Sequence, residues 1–106
     1  MTEIEFALEH CIGSCTRCEK ECRECADRCS ETIGMEDCSG LCVRCADQCR
    51  DCIESMKEGL NAYCYNTESM CEACANECQK FDFEFTKLCM VICRECAESC
   101  RASEAA

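Results

Sequence analysis

The chain has 106 residues, nineteen of them cysteine, no proline and a net charge of −11. That length suits one domain, residues 1–106, with a single modest core. The acid excess argues against nucleic acid and anionic membranes as partners, since both need a basic footprint, and no stretch is long enough to span a bilayer.

The opening residues MTEIEFALEHC have no basic head, no long apolar run and no small-residue cleavage site, so the expected location is cytoplasmic. Thiols stay reduced there, and dense cysteine then points to metal or redox chemistry. Leu, Ile, Val and Phe together supply only 15 residues, too few for an ordinary core at this charge. Free cysteine buries like a small hydrophobe, so the fold depends on the thiols.

Breaks at Gly34, at Lys57–Asn61 around Gly59 and at Phe81–Phe85 divide the chain into four predicted helices, at about 2–32, 35–58, 60–80 and 83–103. The first opens on Thr2 with Glu5 three residues on, a capping box. Its seam reads Ile4, Leu8, Cys11, Cys15, Cys18, Cys22, Cys25, Cys29. These steps of four and three are the rhythm with which a helix buries one face, and the six thiols would run about 27 Å along the axis. Gly34 is the expected stop.

The second helix repeats the rhythm with Met35, Cys38, Cys42, Cys45, Cys49, Cys52 and Met56, placing a thioether at each end of a five-thiol column. Gly13 and Gly40 lie inside the first two helices and weaken them slightly. The third column reads Leu60, Cys64, Thr67, Cys71, Cys74, Cys78, with Thr67 as a space-filling occupant. The fourth reads Thr86, Cys89, Cys93, Cys96, Cys100, with Asp82 as expected N-cap. Four such helices with short loops predict an all-α, antiparallel up-down-up-down bundle with a cysteine-lined core. Between the last two helices, the aromatics of Phe81-Asp82-Phe83-Glu84-Phe85 are expected to fold over one end. Met70, Met90, Val91 and Ile92 flank the columns, and the apolar run Leu88–Cys93 is a candidate surface for a homo-oligomer.

Residues three or four apart on a helix are neighbours, with Cβ atoms about 5–6 Å apart. Four facing columns therefore line a tube of adjacent sulfurs. Thiolate is a soft ligand that selects Cu(I), Zn(II) or iron–sulfur clusters. If each sulfur bridges two ions and each Cu(I) takes two sulfurs, the filled core is neutral and holds on the order of 19 ions, avoiding the cost of unpaired buried charge. Separate four-thiolate zinc sites carry net negative charge and would number only about four. The ferredoxin spacing is missing. A bundle held by disulfides or a few zinc ions is the alternative; against disulfides stand the odd cysteine count and the unbroken single-face columns. A redox enzyme needs one privileged pair, and nothing marks one C-x2-C pair out from the others. With one histidine, no G-x-S-x-G and no phosphate loop, the chain offers no catalytic constellation.

His10 sits one position off the seam, where a surface histidine is the ordinary explanation. A sharper expectation comes from topology. Antiparallel order gathers Cys11, Met56, Leu60, Cys64 and Cys100 at one end with His10 nearby, and Cys29, Met35, Cys38, Cys78 and the Phe81–Phe85 loop at the other. The aromatic loop would restrict its own mouth, and the mouth with His10 and Met56 would admit metal.

With these columns, the whole chain resembles the bacterial copper storage proteins, and its lack of an export signal resembles their cytosolic branch. The carrying motif is the C-x3-C-x2-C-x3-C register, run through Cys11–Cys29, Cys38–Cys52, Cys71–Cys78 and Cys89–Cys100. The resemblance implies a four-helix bundle, commonly a tetramer, storing many Cu(I) ions inside each subunit through bridging thiolates. All nineteen cysteines match seam positions. The chain departs from the family at Phe81, Phe83, Phe85 and Thr86, where the cytosolic branch often has histidines and then a cysteine, and at Thr67.

Overall fold

The computed structural model describes residues 2–106. The four helices are α1 (Glu3–Ser30), α2 (Glu36–Lys57), α3 (Cys64–Cys78) and α4 (Glu84–Ala105), with no strand among the described residues. Each helix packs against its two neighbours in a ring, α1 on α2 and α4, α3 on α2 and α4. Sulfur pairs from opposite ends of the numbering, Cys11 with Cys100 and Cys22 with Cys89, fix α1 and α4 as antiparallel. The result is the expected up-down-up-down bundle, a rod of 47 × 19 × 17 Å.

Thr2 is the N-cap of α1, as expected. Thr2 Oγ1 accepts the Glu5 backbone N–H at 3.2 Å and donates to the Glu5 carboxylate at 2.9 Å. α1 and α2 run unbroken through Gly13 and Gly40, because packing of a buried face outweighs the small propensity loss of one glycine.

The element ends correct the sequence reading in several places. α1 stops at Ser30, and Gly34, at φ +90°, turns the chain into α2. α3 begins at Cys64, not near residue 60, because Gly59 takes φ +84° and the Leu60 N–H closes back on the Ser55 carbonyl at 3.2 Å. Leu60 therefore leaves the seam and is exposed, as is Ile4 at the other expected column start; Leu8 is the first buried residue of α1. The N-cap of α4 is Phe83, not Asp82. Thr86 Oγ1 accepts the Phe83 N–H at 3.3 Å, while exposed Asp82 pairs with Lys87.

The core is sulfur, with every cysteine 2 % exposed or less. Around it sit Leu8, Ile53, Met35 and Met56, and one buried alanine from each helix: Ala26, Ala46, Ala75 and Ala97. Each alanine directly follows a column cysteine, where a small side chain lets neighbouring helices approach. Hydrogen bonds stitch the ring between helices: Ser14 with Ser99 at 2.8 Å, Ser39 to the Ala26 carbonyl at 3.0 Å, Gln48 to Thr67 at 3.2 Å. On the outside, Arg50 and Arg23 clasp Glu19 across α1 and α2, and Arg101 holds Glu68 and Glu72 across α3 and α4.

Candidate metal centre

All nineteen cysteines are free thiols. Neighbouring sulfurs lie 3.5 Å apart at the closest (Cys15–Cys96), with Cys22–Cys93 and Cys42–Cys74 at 3.6 Å and Cys52–Cys64 at 4.0 Å. A disulfide needs about 2.05 Å, so the columns are not tied off pairwise. The spacing instead suits a shared ion: four sulfurs at ~2.3 Å from a tetrahedral metal are ~3.8 Å from one another. Sulfurs also meet across the diagonal of the ring, Cys18 with Cys71 at 3.8 Å.

The sulfurs group into overlapping sets of four, each with its members within 4.8 Å of one another. From the Phe81–Phe85 end inward, one set is Cys25, Cys38, Cys42 and Cys78, and the next is Cys42, Cys74, Cys78 and Cys89. Then come Cys22, Cys74, Cys89 and Cys93, followed by Cys18, Cys22, Cys45 and Cys93, and by Cys18, Cys45, Cys49 and Cys71. Each set shares two sulfurs with the one after it. Of these five, no more than three can be filled at once as separate tetrahedral sites. Filling them all requires sulfurs that bridge.

Thiol–thiol contacts divide the acidities. Hydrogen bonds from Cys38, then Cys42 and Cys78, hold the Cys25 thiol down to about 5. Cys42 is pushed above the ordinary thiol range by the same kind of contact, with Cys25 and Cys38 the main partners. Farther along the bundle, neighbouring thiols also hold Cys18 and Cys45 low and push Cys93 and, at the opposite end, Cys100 high. A buried thiolate is thus accommodated by the S–H groups around it.

The remaining expected site residues divide. Met35 and Met56 are buried at opposite ends of the α2 column, in the same core cluster as the cysteines. His10 is exposed in the outer groove between α1 and α4, beside Phe6, Ala7 and Ala102, and its Nδ1 lies 3.4 Å from Ser99 Oγ. It faces away from the sulfurs because one residue off the seam is a rotation of about 100°. Thr67 and Thr86 are fully buried seam occupants. Thr67 Oγ1 donates to the Tyr63 carbonyl at 2.8 Å, and Thr86 Oγ1 donates to that of Phe83 at 2.9 Å. Phe81 and Phe85 pack on the core, while Phe83 stacks on Phe85 from outside, ring centroids 5.2 Å apart.

The sequence reading missed the four buried alanines, although a Cys-Ala step within each column was there to be seen. No described helix is long and apolar enough to cross a membrane.

Fold and site together define a class: four-helix bundles whose interior is a continuous thiol array. The family profile of the copper storage proteins matches residues 5–105. The chain belongs to that family. It is 35 % identical to the uncharacterized cysteine-rich protein YhjQ of Bacillus subtilis (strain 168), over 96 % of this chain and all of that one. Copper storage protein 3 of Bacillus subtilis in its apo form is 33 % identical, with TM-score 0.85 over 90 % of this chain and 96 % of that one. Its Cu(I)-bound form, BsCsp3, gives 0.84 over 90 % and 95 %. A cytosolic copper storage protein from Streptomyces lividans, carrying five coppers, is 26 % identical with TM-score 0.90 over 97 % and 96 %.

Proposed function

We propose that this chain stores Cu(I) in the cytoplasm, binding many ions per subunit through bridging thiolates, with no catalytic role. The observation that carries the reading is the run of four-sulfur sets in which each shares two members with the next. Soft thiolates select Cu(I), and sulfur shared between ions lets the charge of metal and ligand cancel inside a dry core. The Cu(I)-bound and copper-loaded relatives support the same reading. The ligands are the nineteen cysteines, with Met35 and Met56 as end caps; His10, on the outer surface, is no ligand in this reading. Copies associate through α4, where Val91 stands about half exposed further along the helix than the α1–α4 cleft that Leu88 lines, into the homo-oligomer, a tetramer, that the family resemblance implies.

Anaerobic titration of reduced protein with Cu(I) tests this. Uptake should end on the order of 19 ions per chain, and sedimentation of the loaded sample should give a mass above the monomer. Saturation at three or four ions would favour separate tetrahedral sites and overturn storage by bridging; a monomer would overturn the assembly alone.

A further inference from the structure

The two ends of the sulfur core are closed differently. At the end near the α2–α3 turn, Cys11, Cys52, Cys64 and Cys100 have no exposed surface. Hydrogen bonds seal it from both sides: Asn61 donates to the Ser103 carbonyl at 3.0 Å, and buried Ser103 donates to that of Ala7 at 3.2 Å. At the other end Cys25 is 2 % exposed, and Cys29 and Cys78 are 1 % exposed. There a surface cleft of about 390 Å³ opens between α1 and α4, with Cys25 in its wall. Glu21, Glu24 and Glu84 ring the cleft. Phe85 forms part of the same wall, and across from it the Arg28 guanidinium lies 6.0 Å from the ring centroid. Thr86 ties the Phe81–Phe83 turn to α4, and Phe85 meets α1 through the Arg28 side chain.

We infer that the cleft between α1 and α4 is the port through which Cu(I) reaches the core, with Cys25 as the receiving thiol and Phe85 with Arg28 as its partial cover. The inference rests on the storage reading and reverses the expectation that metal enters past His10 and Met56. Carboxylates around the cleft raise the local concentration of a cation. At Cys25 a Cu–S bond forms, a bond from copper to its departing carrier ligand breaks, and the thiol proton leaves to solvent; copper stays Cu(I) throughout. A second bond, to Cys38, Cys42 or Cys78, replaces the remaining carrier ligand, and that thiol's proton likewise leaves to solvent. Within that set Cys42 and Cys78 take the ion over from Cys25, which regains a proton from solvent. Because both belong to the next set, the ion passes there and then onward through Cys74 and Cys89, one Cu–S bond forming as another breaks. The ion is never released between steps, so filling proceeds from the port inward.

The test is anaerobic stopped-flow loading with Cu(I) presented as its acetonitrile complex, read by growth of the copper–thiolate ultraviolet absorbance. Cys25→Ser and Cys11→Ser each remove one sulfur, from opposite ends. Cys25→Ser should load about ten-fold more slowly than Cys11→Ser, a barrier difference of about 1.4 kcal/mol, at similar final occupancy. Phe85→Ala, outside the sulfur core, should load faster than the unaltered protein and covers the case in which Cys25→Ser folds poorly. Equal rates for the two serine variants, or a Phe85→Ala rate no higher than that of the parent, would overturn the port. Failure of the parent to take up more than a few ions would instead overturn the storage reading.

Discussion

Thr67 shows what single positions decide in this core. It occupies the place between Cys64 and Cys71 where the α3 column would carry another thiol, and it is fully buried with its hydroxyl spent on the Tyr63 carbonyl. Thr67→Cys should keep the fold while giving up the hydroxyl's bonds to the Tyr63 carbonyl and from half-buried Gln48, about 1 kcal/mol each. It should raise Cu(I) capacity by about one ion, measured by anaerobic titration to the endpoint; unchanged capacity would mean that a sulfur here cannot reach its neighbours. The columns themselves were legible because a 3/4 rhythm is local information. His10 was not, since its fate depends on a rotation about the helix that puts it against Ser99 instead of sulfur. The start of α3 was equally hidden, because it turns on the positive φ of Gly59 and a backbone hydrogen bond to Ser55.

Among the elements, α1 and α2 are clasped by Glu19, whose side chain is only 12 % exposed and receives Arg50 at 2.7 Å and Arg23 at 2.9 Å. Burial works against its ionisation, but the hydrogen bonds from Arg50 and then Arg23 prevail and hold the carboxyl below its ordinary value. A depressed carboxylate stabilises the fold above its unfolded pKa of ~4.3, and that contribution disappears as pH falls through the folded value. Glu19→Gln should therefore lower the apo melting temperature at pH 7 and flatten its decline in acid, followed by circular dichroism from pH 7 to 3. An unchanged acid limb would show that this clasp is solvated and idle. The helices were readable in number and order from the sequence, but their clasps were not. A charged residue on a polar face looks like any other until the neighbouring helix places an arginine beside it. The buried alanines belong to this level too: a larger side chain at Ala46, which is fully buried, would wedge neighbouring helices apart and stretch the sulfur sets.

For the whole molecule, fold and cargo are linked. The apo core is built largely of thiols and contains few larger hydrophobes, so its packing contribution per residue is modest. Metal bound to the assembled sulfurs of the native state adds to stability by mass action, about 2.7 kcal/mol for each site filled at 100 times its Kd, less whatever the unfolded thiols bind. Melting temperature should climb with each added equivalent of Cu(I), level off at the titration endpoint, and fall again when a competing Cu(I) chelator strips the metal; a melting curve indifferent to copper would separate stability from filling. The heptad-like spacing carries one more implication. Outside the Thr67 position, two thiols recur every seven residues along each helix of the rod, or about every 10.5 Å of its length, so successive cross-sections repeat one register. Holding power is then an extensive property, like the volume of a pipe: a longer or shorter relative built on the same register would hold more or less in proportion, with no new site to invent.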